Sequence, residues 1–332
     1  MQPSIDKFFS AAAIHPVLLD VGASSGPPPF WRDIAKHAVH VAFDPDLREM
    51  SEAHGGPFYK STVLNEAITA NKHCDQVTFY LAAAPQCSST LRPNYEVVSN
   101  FFGAERFEIK QEVQAKATTI DQVLERLKLD RIDWLKLDTQ GTDARLFESI
   151  RDDVRSRLLA VDLEPGLRGA YVGEDLFGEV HRTMLANGLW LSRAEVKGFP
   201  RMRQATLGAT TSAHADLTAE VVAKAVRKTP GWIELRYLRT LESIAQPLAA
   251  GRAFDRNDYL MLWAFAIIDE QYGFALDVAR EYEQRFGRDE KLVAMTSEPV
   301  VRIRESFQAA KRAAKKSFPS RVKGWMRRRL KR

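Results

Sequence analysis

Asp20-Val21-Gly22-Ala23-Ser24-Ser25-Gly26 closes an apolar run, Val17-Leu18-Leu19, and a second run, Val39–Phe43, ends on Asp44, 24 residues beyond Asp20. A buried strand, a glycine turn and a second strand ending on a carboxylate form an arrangement by which α/β proteins hold a nucleoside. An ionised Asp44 offers only acceptors and so suits the two donors of a ribose diol. The glycine spacing narrows the nucleoside. A dinucleotide turn reads G-x-G-x-x-G and brings a helix N-terminus up to a pyrophosphate. Here three residues separate Gly22 from Gly26, which speaks against a dinucleotide. Three more apolar runs lead into polar groups, at Asn65-Glu66, at Asp138-Thr139-Gln140 and at Glu164. In an open α/β sheet such ends converge, because ligands sit beyond the carboxyl ends of the strands.

The elements that must position these groups follow from the periodicity. Short β-like runs at Phe58–Leu64, Val77–Leu81, Ile132–Asp138 and Leu158–Leu163 alternate with helical stretches, the pattern of βαβ units and a parallel sheet. Pro27-Pro28-Pro29 suits a first helical turn, with Phe30, Trp31, Ile34 and Ala35 on one face. Thr119-Ile120-Asp121 opens an amphipathic helix, and a helix over Leu176–Ala186 carries His181. Residues 83–116 read as an irregular insertion of the kind that forms a lid. After a small-residue linker at Gly208–His214 the pattern from Ala219 to Gly287 reads as helical hairpins, with Trp232, Leu235, Leu238 and Leu241 on one stripe. The expected division is an α/β domain at 1–205, a helical domain at 206–310 and a tail at 311–332.

Composition is that of a globular protein, 45% apolar and 27% charged. The longest apolar run, Tyr259–Ile268, is too short for a bilayer crossing of roughly 20 residues. Two cysteines, Cys74 and Cys87, supply neither a disulfide framework nor a metal cluster, so no metal is expected. Met1–Ser10 holds Asp6 and Lys7 and lacks the apolar stretch of a secretory leader, which suggests the cytoplasm. The net charge of +5 is unevenly placed. Eleven of the 48 Lys and Arg residues lie in 311–332, which has no acid, leaving 37 bases against 43 acids in residues 1–310. The basic balance therefore does not mark the folded body as a nucleic-acid binder.

The blocks Asp20–Gly26, Phe43-Asp44-Pro45-Asp46, Asn65-Glu66-Ala67-Ile68, Ser88-Ser89-Thr90-Leu91, Thr119-Ile120-Asp121 and Ile132–Gly141 are together similar to the FkbM family of S-adenosylmethionine (SAM) dependent methyltransferases. The resemblance spans roughly residues 14–195. Its most specific block reads K-[IL]-D-x-[EQ]-G, with Gln140 and Asp143 where many members carry Glu. It implies a class I, Rossmann-like fold: a seven-stranded, mostly parallel sheet with helices on both faces, here followed by the C-terminal helical domain. It also implies O-methylation of a sugar, glycan or natural-product hydroxyl. Under that resemblance Asp20, Gly22, Ala23, Ser24 and Gly26 would face the methionyl part of SAM, Asp44 its ribose, and Asn65 and Glu66 the adenine side. Ser88, Ser89, Gln140 and Glu164 would meet the acceptor. Asp138 is the candidate base, its alternative being the cap of the next helix, and His181 is a second candidate. A nucleotide-binding oxidoreductase and a catalytically degenerate binding protein are the alternatives.

The tail interleaves its charges with Val322, Trp325, Met326 and Leu330 at helical spacing. A basic amphipathic helix of this kind is expected to dock on an anionic membrane surface, here the inner face; a solvated, unstructured tail and a nucleic-acid contact are the alternatives.

Overall fold

A computed structural model describes residues 3–23, 26–46, 48, 57–246 and 253–329, with residues 314–329 described by their backbone alone. Its centre is a seven-stranded sheet. In chain order its strands are β1 (Val17–Val21), β2 (Val39–Phe43) and β3 (Lys60–Leu64). A three-stranded sheet comes next, formed by β4 (Ala67–Ile68), β5 (Gln76–Ala82) and β6 (Ile109–Thr118). The large sheet resumes with β7 (Trp134–Leu137), β8 (Ala160–Leu163), β9 (Leu189–Pro200) and β10 (Lys228–Arg239). Its order is β3-β2-β1-β7-β8-β10-β9. The pairs β2–β3, β1–β2, β1–β7 and β7–β8 are parallel, whereas β10 runs antiparallel to both β8 and β9. The chain reverses its direction of winding between β1 and β7, so a crevice opens there beyond their carboxyl ends.

The two faces are read off the strand period of two. Leu19, Val21, Leu135, Leu137, Val161 and Leu163 point to one face, where they pack with residues of the helices Ile120–Leu127, Asp143–Ser149 and Phe177–Ala186. Leu18, Trp134, Ala160 and Leu238 point to the other, against the N-terminal helix Pro3–Ala11 and the helices Arg256–Ile268 and Tyr272–Phe286. The apolar run of Arg256–Ile268 thus belongs to a helix buried almost all round, between the sheet and outer helices. Asp255 and Asp258 form its capping box. The fully buried Asp258 is held in turn by Arg131 at 2.6 Å and Arg157 at 3.5 Å.

Three expectations change. No α-helix starts at Pro27–Pro29: Pro29–Asp33 and Ala35–His37 are short 3-10 turns that bury Trp31, Ile34 and Ala35. Residues 83–116 are not irregular throughout, since β6 pairs along β5. The helical reading of 219–287 fails at Lys228–Arg239. There Ile233, Leu235 and Tyr237 alternate toward one face and Leu238 faces the other, so the segment is a strand inserted between β8 and β9. The sheet therefore continues past residue 205, and the C-terminal helices share a core with it. Among the described residues no helix is long and apolar enough to cross a membrane.

Candidate active site

The crevice at the β1/β7 switch is a cavity of about 570 Å³, within the 300–1,000 Å³ typical of cofactor and ligand sites. Its walls are the carboxyl ends of four parallel strands. β1 contributes Val21 and Gly22, β2 contributes Phe43 and Asp44, β7 leads to Asp138–Gln140, and β8 leads to Glu164. Gly26, Glu66, Ile68, Phe79 and Ser88 complete the parts expected from the sequence or lying beside them.

Backbone contacts fix these ends against one another. The Gly22 and Ala23 amides donate to the Phe43 carbonyl at 2.9 and 3.1 Å, and the Asp138 amide donates to the Val21 carbonyl at 2.9 Å. Gly22 adopts φ +83°, and a Cβ built on it would lie 2.0 Å from the Asp138 carbonyl oxygen. Glycine is thus required twice, by the left-handed backbone and by the close approach of β7.

Asp44 lines the cavity with its carboxylate bonded to the Asp46 amide at 2.7 Å. Burial pushes its pKa up to about 6, against that amide. The Asn65 side chain donates to the Asp44 carbonyl at 2.6 Å, so Asn65 shapes the loop rather than the cavity wall. Glu66 is held by Arg126 at 2.9 Å and Lys116 at 2.7 Å, and these cations keep its carboxyl below the ordinary range, Arg126 contributing most. The Ser88 hydroxyl accepts from Arg48 at 2.9 Å, and Arg48 also grips Asp46. Ser88 thereby latches the β5 loop to the end of β2 while remaining in the wall.

The deepest charges surround Lys136. Its ammonium lies 3.0 Å from Asp20, donates to the Gly22 carbonyl at 3.2 Å and stands 3.8 Å from Asp138. Burial disfavours its charge, but the carboxylates of Asp20 and Asp138 outweigh that and hold its pKa up. Asp20, at 0% exposure, lies behind the wall as the counter-ion of Lys136. The expected contact between Asp20 and the ligand is therefore corrected: a carboxylate sealed under a lysine acts through that lysine.

Asp138, 26% exposed, has one carboxylate oxygen held by the Gln140 amide at 2.7 Å. Gln140 sits at φ +56°, and its Oε1 is 3.1 Å from the Tyr171 hydroxyl, which also lies 3.0 Å from the Cys87 carbonyl. Glu164 shares the wall; the Asp138 charge, then burial, pushes it up to about 9. The Glu164 carboxyl therefore keeps its proton at neutral pH. Buried Asp143 ties the ends of β7 and β8 together, accepting from the Thr139 hydroxyl at 2.5 Å and the Glu164 amide at 3.0 Å, and burial raises it to about 7.

Asp138, Gln140 and Glu164 also line a second chamber of about 150 Å³, walled by Tyr171, Arg168, Phe199 and Trp232 among others. The carboxyl pair thus stands at the junction of the two spaces.

Of the residues expected from the sequence, Gly22, Gly26, Asp44, Glu66, Ser88, Asp138, Gln140 and Glu164 come together around the cavity. Ala23 is buried outside it, and Ser24 lies outside the described residues. Ser89 is buried too, its hydroxyl donating to the Gln140 carbonyl at 2.9 Å, so it pins the β7 loop and meets no acceptor. His181 is removed from the site: its ring bonds the Tyr237 hydroxyl at 2.9 Å and stacks on Phe177. Lys136 was not among the residues the sequence singled out; the signal for it was its place between Leu135 and Leu137 in an apolar run, where a buried cation needs a counter-ion.

The sequence model of the methyltransferase FkbM domain matches residues 20–189, just over half of the chain. The match begins on Asp20 and ends where β9 begins, so it takes in the four strand ends that wall the cavity. Comparison with curated proteins found no match.

Proposed function

Because the chain belongs to the FkbM methyltransferase family, we propose that it transfers a methyl group from SAM to a hydroxyl of a sugar, glycan or natural product. The observation that carries this is the carboxyl pair Asp138/Glu164 at the junction of a nucleoside-sized cavity and a smaller chamber.

The residues fit SAM chemically. Asp44 presents a carboxylate to a ribose diol, and Phe43, Ile68 and Phe79 supply apolar walls for an adenine ring. Lys136 and the Gly22 turn offer a cation and close backbone for an amino-acid end. Bound there, SAM supplies an electrophilic methyl on a sulfonium. In this reading Asp138 accepts the hydroxyl proton as the oxygen attacks. Gln140 fixes the carboxylate so that one oxygen remains directed to the acceptor. Lys136 balances the charge of the pair, and Glu164, pushed up by the Asp138 charge and by burial, is its protonated member. Positioning of the hydroxyl across the junction supplies a large share of the rate.

An oxidoreductase using NAD is less well supported, because the described turn after β1 leads into 3-10 turns and not into a helix N-terminus for a pyrophosphate. Calorimetry separates the two. SAM is expected to bind and NAD not to; NAD binding without SAM binding overturns the reading. We also infer that the Lys311–Arg332 tail docks on an anionic membrane surface. The helix Glu290–Arg329, whose backbone runs on through most of the tail, supports this. Full-length protein is expected to pellet with phosphatidylglycerol vesicles and a form ending at residue 310 to stay free; equal pelleting refutes it.

A further inference from the structure

The second chamber contains a cation, Arg168, that Glu174 in the same wall balances by charge but does not hydrogen-bond. Arg168 Nε and Nη1 are buried and have no hydrogen-bond partner, and among the described residues Arg168 makes no ion pair. Its guanidinium carbon lies over the Phe101 ring, 3.6 Å from the centroid, a cation–π contact that holds it in place. Glu174 in the same wall directs its carboxylate to the Tyr171 backbone amide at 3.1 Å. Burying guanidinium N–H groups unpaired is costly, and an anion in the chamber beside the guanidinium offsets that cost through its charge. Around them the wall is aromatic: Phe199 and Trp232 lie 5.4 Å apart by ring centroid, and Arg106 sits over Phe199 at 5.4 Å. Flat rings of this kind suit the C–H face of a pyranose. Burial pushes the Arg168 pKa down by more than the Glu174 charge raises it.

We propose that this chamber takes an acceptor bearing an anionic group, a carboxylate or a phosphate, and that Arg168 recognises it. The acceptor then has two poles, a hydroxyl at Asp138 and an anion at Arg168, with its ring against Phe199 and Trp232. A neutral sugar offers Arg168 hydroxyl acceptors but no charge, so its hydrogen bonds there are the weaker ones and it is disfavoured for that reason. The proposal rests on the methyltransferase reading above and adds the class of acceptor.

The test uses full-length protein, SAM labelled in its methyl group, and an extract of the producing cells split by anion exchange into neutral and acidic fractions. Label is expected in the acidic fraction. Arg168→Met is expected to lower that labelling by about 10- to 100-fold with SAM affinity unchanged by calorimetry, and Arg168→Lys to recover part of it. Should Arg168→Met not fold, Arg168→Gln takes its place. Label moved to the neutral fraction by phosphatase identifies a phosphate; label neutralised only by carbodiimide amidation identifies a carboxylate. Label confined to the neutral fraction, or indifference to the Arg168 substitutions, overturns the proposal. If neither fraction is labelled although SAM binds, the transferase reading fails and this proposal falls with it.

Discussion

Lys136→Met tests whether Asp20 is a ligand contact or the counter-ion of a site lysine. The two charges are 3.0 Å apart, with Asp20 at 0% and the lysine side chain at 16% exposure. At an effective dielectric of about 20 their attraction is about 5 kcal/mol, most of it offsetting the desolvation of both groups. Removing one partner leaves the other charge buried, so Lys136→Met and Asp20→Asn should each cost about 3–5 kcal/mol. Removing both leaves neither charge behind. The double variant should therefore lose at least about 2 kcal/mol less than the sum of the singles. Urea unfolding followed by tryptophan fluorescence supplies the three values. The Lys136 ammonium also holds the Gly22 carbonyl and faces Asp138, so the double variant, though refolded, should bind SAM poorly and transfer slowly. Additive losses would refute the pairing. A double variant as active as the parent would refute the role of Lys136 in the site.

Three further outcomes are expected. Asp138→Asn should lower methyl transfer by about 10²- to 10⁴-fold with SAM affinity within threefold by calorimetry; unchanged turnover removes Asp138 as base. Asp44 has its pKa raised to about 6, and the ionised form is the acceptor, so SAM affinity should be full above pH 7. It should fall about tenfold by pH 5 as the carboxyl protonates, a dependence that Asp44→Asn flattens; a parallel fall in that variant refutes the assignment. Arg236 joins Asp162 at 2.8 Å to Asp269 at 3.0 Å across the sheet and its C-terminal helical layer. Arg236→Met should cost about 3–5 kcal/mol in a single urea transition, and a loss below about 1 kcal/mol would show the layer to be independent.

The strand ends were legible because each is a short apolar run that stops on a polar residue, and a parallel sheet brings such stops to one edge. Asp44, Asp138 and Glu164 were found that way. Strand β10 was not, since Leu235, Leu238 and Leu241 carry a helix-like spacing and only pairing with both β8 and β9 makes the segment a strand. Strand β6 was hidden for the opposite reason: its alternation is weak, since Gln111 falls on the inward side between Ile109 and Val113, the next inward positions are only Ala115 and Ala117, and most of the strand is exposed or half-buried. The turns after Pro29 depend on Trp31 being drawn under the sheet beside Trp134, 6.2 Å between centroids, a contact over a hundred residues long. His181 shows the same limit: a helical pattern does not say whether a side chain meets a cavity or, as here, Tyr237.

The division between what is rigid and what is built from loops separates chemistry from selectivity. The candidate base is locked to the glycine turn, since the Asp138 backbone oxygen occupies the space a Gly22 Cβ would need and the Asp138 amide is bonded to Val21. Donor cavity and base therefore move as one unit of the sheet, as a transfer sensitive to the alignment of oxygen and methyl demands. The second chamber, proposed for the acceptor, draws instead on the β5–β6 insertion through Cys87 and Phe107, on the loop after β8 through Arg168 and Tyr171, and on β9 and β10 through Phe199 and Trp232. Phe199 and Trp232 lie beyond the matched residues 20–189. Acceptor choice can thus change by substitution in these segments without disturbing the Gly22–Asp138 contact, which is why Arg168, and not the strand ends, is the place to look for what this chain methylates.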